Sequence, residues 1–364
     1  MKKIRLGDVV SFSKGQQING DELMKKGRYD YLNGGINPSG CWNDFNVTGD
    51  TVTVSEGGNS CGYVNYMSYP FWCGAHCYYL YNSKLNNKYL YYALKSQQEK
   101  IMKLRTGACM PNIKKTDLGK FELYITTDIN AQELTVFILD KITDLIDKRK
   151  KQLEKLDELV KSRFIEMFGG IHDSKMYPYK TVKELTEVIS GGTPSRDVSE
   201  YWEEGTIPWV KTTELHNNVV TKVEEYITEK GLNNSSAKIV PVGTVLVAMY
   251  GQGKTRGMTA YLEIKACTNQ ACACILPSDK INQKFLWYFF ILSYDNLRNL
   301  AKGGNQPNLN GNMIKTYPIL YPPIELQNQF AAFVKQVDKS KFEIKQSLEK
   351  LELLKKALMQ KYFG

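Results

Sequence analysis

The chain repeats itself, and that constrains it more than any other feature. Ile4-Arg5-Leu6-Gly7-Asp8-Val9-Val10-Ser11 returns as Val182-Lys183-Glu184-Leu185-Thr186-Glu187-Val188-Ile189-Ser190. Thr48-Gly49-Asp50-Thr51-Val52-Thr53-Val54 is answered by Pro241-Val242-Gly243-Thr244-Val245-Leu246-Val247. Gly107-Ala108-Cys109-Met110-Pro111-Asn112-Ile113 is answered by Gly303-Gly304-Asn305-Gln306-Pro307-Asn308-Leu309. Asn130 to Leu134 lies opposite Glu325 to Gln329, Leu153-Glu154-Lys155-Leu156 opposite Leu348-Glu349-Lys350-Leu351, and Phe168-Gly169 opposite Phe363-Gly364. The offset grows from 179 (Val9 to Val188) to 195 (Leu153 to Leu348), so the second half carries insertions in its middle. An ordered set of matches at a slowly drifting period is the mark of a duplicated unit.

Each half changes character partway along. The first part is rich in Gly, Asn, Tyr and β-branched residues, with short runs such as Val52 to Ser55 and Val245 to Met249 between Gly-containing turns. That pattern predicts a small, mostly β domain, with helices over Asn87 to Lys103 and Gln283 to Lys302. The second part lacks Gly and Pro from Asn130 to Phe168. Ile142, Ile146, Leu153, Leu156 and Val160, and later Val337, Ile344, Leu348, Leu351 and Leu358, mark a narrow apolar seam at coiled-coil spacing. Gly169-Gly170 stops the first helix and Tyr321-Pro322-Pro323 leads into the second. The predicted class is α+β. It comprises a mostly β domain (1–128), a long helix (129–170), a second mostly β domain (171–322) and a second long helix (323–364). A rod of about 50 Å cannot bury its seam in a small domain of its own. The two helices are therefore expected to pair antiparallel, with one β domain at each end and an approximate twofold axis.

Of 364 residues, 48 are Lys or Arg and 38 are Asp or Glu, a formal charge of +10. That balance favours a polyanionic partner. No apolar run is long enough to cross a bilayer, and Arg5, Gly7 and Asp8 break up any signal sequence after the basic start. Eight cysteines without an export signal suggest free thiols and a cytoplasmic location. Two similar, non-identical domains on a spacer suit a double-stranded DNA site read at two places about one helical turn (roughly 34 Å) or a multiple apart. The two half-sites would differ and lie in inverted orientation.

The reading residues are expected in polar loops that recur in both halves. In the first domain they are Lys14, Gln16, Asn33, Asn59, Ser60, Asn112 and Lys114. In the second they are Thr193, Ser195, Arg196, Lys211, Thr212, Gln252, Lys254, Thr255, Arg256, Asn305, Gln306 and Asn308. Asn and Gln amides match adenine edges, and Arg and Lys match guanine edges. Lys, Thr and Ser also donate to phosphate.

Catalytic patterns are incomplete. Gly253-Lys254-Thr255 imitates a phosphate-binding loop, but Ala248 stands where the leading Gly belongs and no helix is predicted to follow. Tyr321-Pro322-Pro323-Ile324 lacks the polar residue that an adenine methyltransferase places before its prolines. Glu263-Ile264-Lys265 has no partner carboxylate placed before it. Cys73, His76 and Cys77 lack the second ligand pair of a structural zinc site. Cys272 and Cys274 alternate along a predicted strand and should face the core. The expected assignment is no catalytic residue and no metal.

Taken together, Ile189-Ser190-Gly191-Gly192-Thr193-Pro194-Ser195, Ile207-Pro208-Trp209-Val210, Gly303 to Leu309, and Pro322-Pro323-Ile324-Glu325-Leu326-Gln327 before a Leu- and Lys-rich helix resemble the specificity subunits of type I restriction–modification systems. The resemblance covers the whole chain in two copies. The first is looser, with Ser11 to Gly15 in place of Gly-Gly-Thr-Pro and Tyr31 as the counterpart of Trp209. It implies that the β domains are target recognition domains and that the chain does no chemistry. It further implies recruitment of two methyltransferase subunits acting on adenine in a bipartite site, with restriction subunits as further partners. S-adenosylmethionine and ATP would bind those partners only. The helix faces bearing Lys148, Lys151, Lys155, Lys345 and Lys350 would dock them. A self-sufficient DNA methyltransferase and a scaffold that binds only proteins are the alternatives.

Overall fold

The computed structural model describes residues 1–107, 111–251, 253–301 and 308–364. It divides into two compact units that do not follow chain order. Unit 1 holds Met1–Gln152 with Ile344–Gly364, and unit 2 holds Leu153–Glu343.

In unit 1, β1 (Lys2–Arg5) pairs antiparallel with β9 (Glu122–Ile125). A four-stranded sheet has the order β2 (Ser11–Lys14), β8 (Cys77–Tyr81), β5 (Thr51–Ser55), β6 (Val64–Met67). A three-stranded sheet has the order β4 (Gly40–Trp42), β3 (Tyr29–Leu32), β7 (Trp72–Cys73). Helices α1 (Asn87–Ser96), α2 (Gln98–Met102) and α3 (Lys115–Gly119) follow, and α4 (Ile129–Phe168) begins here.

Unit 2 repeats this order. β10 (Tyr179–Thr181) pairs with β19 (Pro318–Leu320). A larger sheet runs β11 (Val188–Ser190), β18 (Cys272–Ile275), β15 (Val245–Ala248), β16 (Thr259–Leu262), β13 (Asn218–Val220). A smaller one runs β14 (Glu225–Ile227), β12 (Ile207–Val210), β17 (Cys267–Thr268). The short helices are α5 (Val182–Leu185), α6 (Glu229–Asn233), α7 (Gln283–Leu292), α8 (Tyr294–Leu300) and α9 (Gly311–Lys315), and α10 is Ile324–Phe363. Strand β13 and helix α6 are among the additions that explain the drifting repeat offset.

The predicted single helices over 87–103 and 283–302 are each broken in two, at Gln97 and Ser293. Gln97 has φ −105° and ψ 19°, and Ser293 has φ −88° and ψ 7°, outside the helical well. The Ser293 N–H is shared between the Phe289 and Phe290 carbonyls, as at a helix end.

The two long helices are each 40 residues, as their composition predicts. Asp128 starts α4 by accepting the Asn130 N–H at 3.0 Å. Gly169, at φ +78°, ends it. Pro322 and Pro323 precede α10. Buried glutamines tie each helix start to its β domain. Gln132 accepts from the Asn86 N–H at 2.8 Å and donates to the Thr126 carbonyl at 2.9 Å. Gln327 accepts from the Asn282 N–H at 2.9 Å and donates to the Pro322 carbonyl at 2.8 Å. Asn86 and Asn282 in turn cap α1 and α7.

Each unit thus contains the start of one long helix and the end of the other. In unit 1, Leu139 of α4 and Phe363 of α10 share a core with Tyr89, whose ring lies 5.1 Å from Phe363, and Lys150 pairs with Glu352. In unit 2, Phe164 and Phe168 of α4 pack with Phe330 of α10 and Phe285, and Lys341 pairs with Asp157. The rising numbers of one segment meet the falling numbers of the other, so within each unit the helix segments run antiparallel. Burying each phenylalanine contributes about 1.5–3 kcal/mol. Cys272 and Cys274 are buried on one face of their sheet, while Ala273 joins the core on the other.

Candidate nucleic-acid interface

In unit 1 the polar loops interlock. β2 ends at Lys14, whose ammonium pairs with Glu56 in the β5–β6 hairpin. Gly15 follows because the Cys73 carbonyl leaves no room for a Cβ. The Gln16 N–H donates to the Cys73 carbonyl at 2.9 Å, and its own carbonyl accepts from Trp72 Nε1 at 2.8 Å. Asn33 donates through Nδ2 to Gln17 Oε1 at 3.1 Å and accepts the His76 N–H on Oδ1 at 3.1 Å. His76 Nδ1 lies 3.7 Å from Glu56 Oε2. Ser60 Oγ donates to the Gly34 carbonyl at 2.6 Å. Asn112 exchanges backbone hydrogen bonds with Thr106, and the neighbouring Pro111 carbonyl accepts from the Gly58 N–H at 3.0 Å. Asn59, Asn112 and Lys114 are exposed. The structure therefore gathers Lys14, Gln16, Asn33, Ser60 and Asn112 into one loop cluster.

In unit 2 the predicted residues fall into two groups. The first surrounds Trp209, which is buried and donates Nε1 to the Gly192 carbonyl at 2.9 Å. Thr193 Oγ1 bonds Gln270, and the Ser195 carbonyl accepts from Trp202 Nε1 at 3.0 Å. The Arg196 guanidinium lies 3.6 Å from the Trp202 ring and 4.9 Å from the Trp209 ring, and its Nη1 pairs with Glu225 Oε2 at 2.6 Å. Lys211 Nζ pairs with Glu224 and Glu225, both at 2.8 Å. These bonds hold the Lys211 ammonium above its usual pKa. Burial pushes the Glu225 carboxyl up, but the bonds from Lys211 and Arg196 outweigh it and hold it below the usual range. Thr212 is buried in a short 3-10 turn.

The second group lies in the β15–β16 hairpin. The Lys254 carbonyl accepts from Tyr294 OH at 2.7 Å, and the Arg256 carbonyl accepts from Arg298 Nη1 at 3.0 Å. Lys254 is exposed, and Thr255 and Arg256 are half-buried. Strand β16, not a helix, follows Gly253-Lys254-Thr255, so no helix N-terminus faces a phosphate there. Asn308 is half-buried. Gln252, Asn305 and Gln306 lie outside the described residues.

Strand register aligns the units residue by residue. Tyr31 faces Trp72 and Leu32 faces Cys73, as Trp209 faces Cys267 and Val210 faces Thr268. Tyr31 therefore occupies the place of Trp209. Asn33 occupies that of Lys211, and Gly40, opposite Tyr31, that of Glu225, opposite Trp209. Sequence reasoning missed Trp202, Glu224 and Glu225, because no local motif announces a carboxylate that is reached only through strand pairing. It also missed Trp72, which supplies in unit 1 the indole bond that Trp209 supplies in unit 2.

On the long helices, Lys148, Lys151, Lys155, Lys345 and Lys350 are all exposed. So are Leu134, Phe137, Phe342 and Leu353, apolar residues outside the seam. Cys73 and Cys77 are buried in a core cluster, whereas His76 is exposed. Among the described residues, no helix is long and apolar enough to cross a membrane.

The family model for the type I restriction modification DNA specificity domain matches residues 1–158 and 175–355. A Mycoplasma pneumoniae protein named as a type I specificity subunit is 35% identical over 159 residues, 41% of this chain and 42% of that protein, so this match spans less than half of the relative. A Mycoplasma genitalium protein of the same designation is 26% identical over 384 aligned residues, covering 99% of this chain and 93% of its own. In fold, the chain is similar to a crystallised type I S subunit from M. genitalium, with a TM-score of 0.69 at 22% identity over 100% of this chain and 96% of the other. With both of its halves matched, the chain belongs to the type I restriction–modification DNA specificity family, whose members are the non-catalytic DNA-recognition components of these systems.

Proposed function

We propose that the chain reads a bipartite, asymmetric site in double-stranded DNA, one half-site per unit, and positions two adenine methyltransferase subunits on it. The observation that carries this reading is the duplicated loop framework with unlike side chains at equal positions: Asn33 against Lys211, and Gly40 against Glu225. At these two positions unit 1 presents a neutral amide and a bare backbone where unit 2 presents an ammonium and a carboxylate, so the two half-sites differ in base sequence. The long helices, which each contribute to both units, set the gap between half-sites. Their exposed lysines and their exposed apolar residues Leu134, Phe137, Phe342 and Leu353 form the docking faces for the methyltransferase subunits. S-adenosylmethionine and ATP are bound by partner subunits, and restriction subunits are further partners.

The test is genome-wide mapping of methylated adenine in cells with and without the chain. A split, non-palindromic motif should disappear when the chain is removed. A methylation pattern that is unchanged by its removal contradicts the reading. Lengthening α4 and α10 by one turn each should change the gap in the motif and leave both half-sites intact.

A further inference from the structure

We propose that Glu225 is the specificity-determining positioning residue of unit 2, fixing Arg196 so that its guanidinium reads a guanine in that unit's half-site. The inference rests on the DNA-reading role above and names the base class at one position.

Arg196 stands on an exposed loop, where an unrestrained arginine would sample many rotamers. Here its guanidinium is held by an indole ring and a carboxylate. Trp202 lies 3.6 Å below it, and Glu225 Oε2 takes Nη1 at 2.6 Å. Its side chain is 51% exposed despite these contacts, against 29% for Glu225. The residue is thus anchored and still open to a ligand. A guanidinium carries five N–H donors in a rigid fork. With its Nη1 edge drawn to Glu225 by charge and its carbon centre over the Trp202 ring, the fork has a restricted orientation, and paired acceptors such as guanine O6 and N7 match its donors.

Glu225 itself is fixed by its strand register opposite Trp209 and by Lys211 at 2.8 Å. Lys211 is only 25% exposed and already neutralised by two carboxylates. It acts as a brace for Glu225 and contributes little phosphate attraction. Trp202 is braced in turn by its bond to the Ser195 carbonyl and by edge packing on Trp209 at 5.0 Å. Unit 1 has Gly40 where unit 2 has Glu225, so this arrangement belongs to one unit alone.

The experiment is competition binding by the full chain, using duplexes in which each base pair of the mapped site is replaced in turn. Glu225→Gln keeps size and shape but removes the charge. Arg196→Lys keeps the charge but loses the fork. Both should reduce the preference for guanine at one position of one half-site from about ten- to hundredfold to near none. The other half-site should be read as before, and the thermal midpoint should stay close to that of the parent chain. Full retention of every base preference in Glu225→Gln overturns the proposal. So does loss of preference across both half-sites, which is a merely structural effect. A parent chain that selects no split site refutes the underlying reading instead, and that result is visible before any variant is made.

Discussion

In unit 1 the residue after the central strand of the small sheet is Asn33, tied by amide hydrogen bonds to Gln17 and His76. In unit 2 it is Lys211, tied by two carboxylates. The indole that bonds the loop carbonyl comes from the central strand in unit 2 (Trp209) and from its parallel neighbour in unit 1 (Trp72). The carbonyl is bonded in both units, yet the side chain that does it has changed strand. Backbone ladders and the buried glutamines Gln132 and Gln327 hold the framework. The side chains at the strand ends are then free to diverge without refolding it, which is what a pair of unlike readers requires.

The largest effect should follow truncation of the shared indole bond's better-buried donor. Trp209→Ala leaves a cavity at the centre of its cluster and should cost about 3–5 kcal/mol. Trp72→Phe removes one hydrogen bond from a half-buried ring and should cost about 1 kcal/mol. Urea denaturation followed by fluorescence measures both, and equal losses would break the comparison.

Next comes salt dependence. Lys254 is exposed and makes no ion pair among the described residues. If it meets phosphate, Lys254→Ala should lower the slope of log affinity against log salt by about one. Lys211→Ala should change it much less, because that charge is already compensated. The reverse order would show that the pairing of Lys211 with Glu224 and Glu225 opens on DNA.

A third effect is in pH. Lys95 of α1 aligns with the apolar Ile291 of α7, and burial holds its ammonium down to about 8. The unfolded chain binds this proton more tightly, so unit 1 should gain stability as pH rises from about 8 toward 10.5. Burial also lowers the Lys355 ammonium in the same unit, so Lys95→Ile should flatten that rise in part, as thermal melts across the range will show.

The α+β class, the duplication and both long helices are legible in the sequence, because composition and periodicity carry them directly. The freedom of Asn130 to Phe168 from Gly and Pro is enough to predict α4. The breaks at Gln97 and Ser293 are not, since neither residue is a helix breaker and tertiary packing sets the bend. Polar loops were legible as clusters of Gly, Asn and Lys. What each side chain touches was not. Arg196 and Glu225 are 29 positions apart: the register of β12 against β14 sets Glu225 opposite Trp209, and Arg196 reaches both from the loop after β11. Lys14 and Glu56 meet in the same way through β2, β8 and β5.

The central claim is two unlike readers in one polypeptide, and selection of the full chain on random DNA duplexes tests it most directly. The enriched sequences should contain two blocks of different sequence separated by a gap of constant length. A single contiguous block, or two copies of the same block in inverted orientation, would contradict the account.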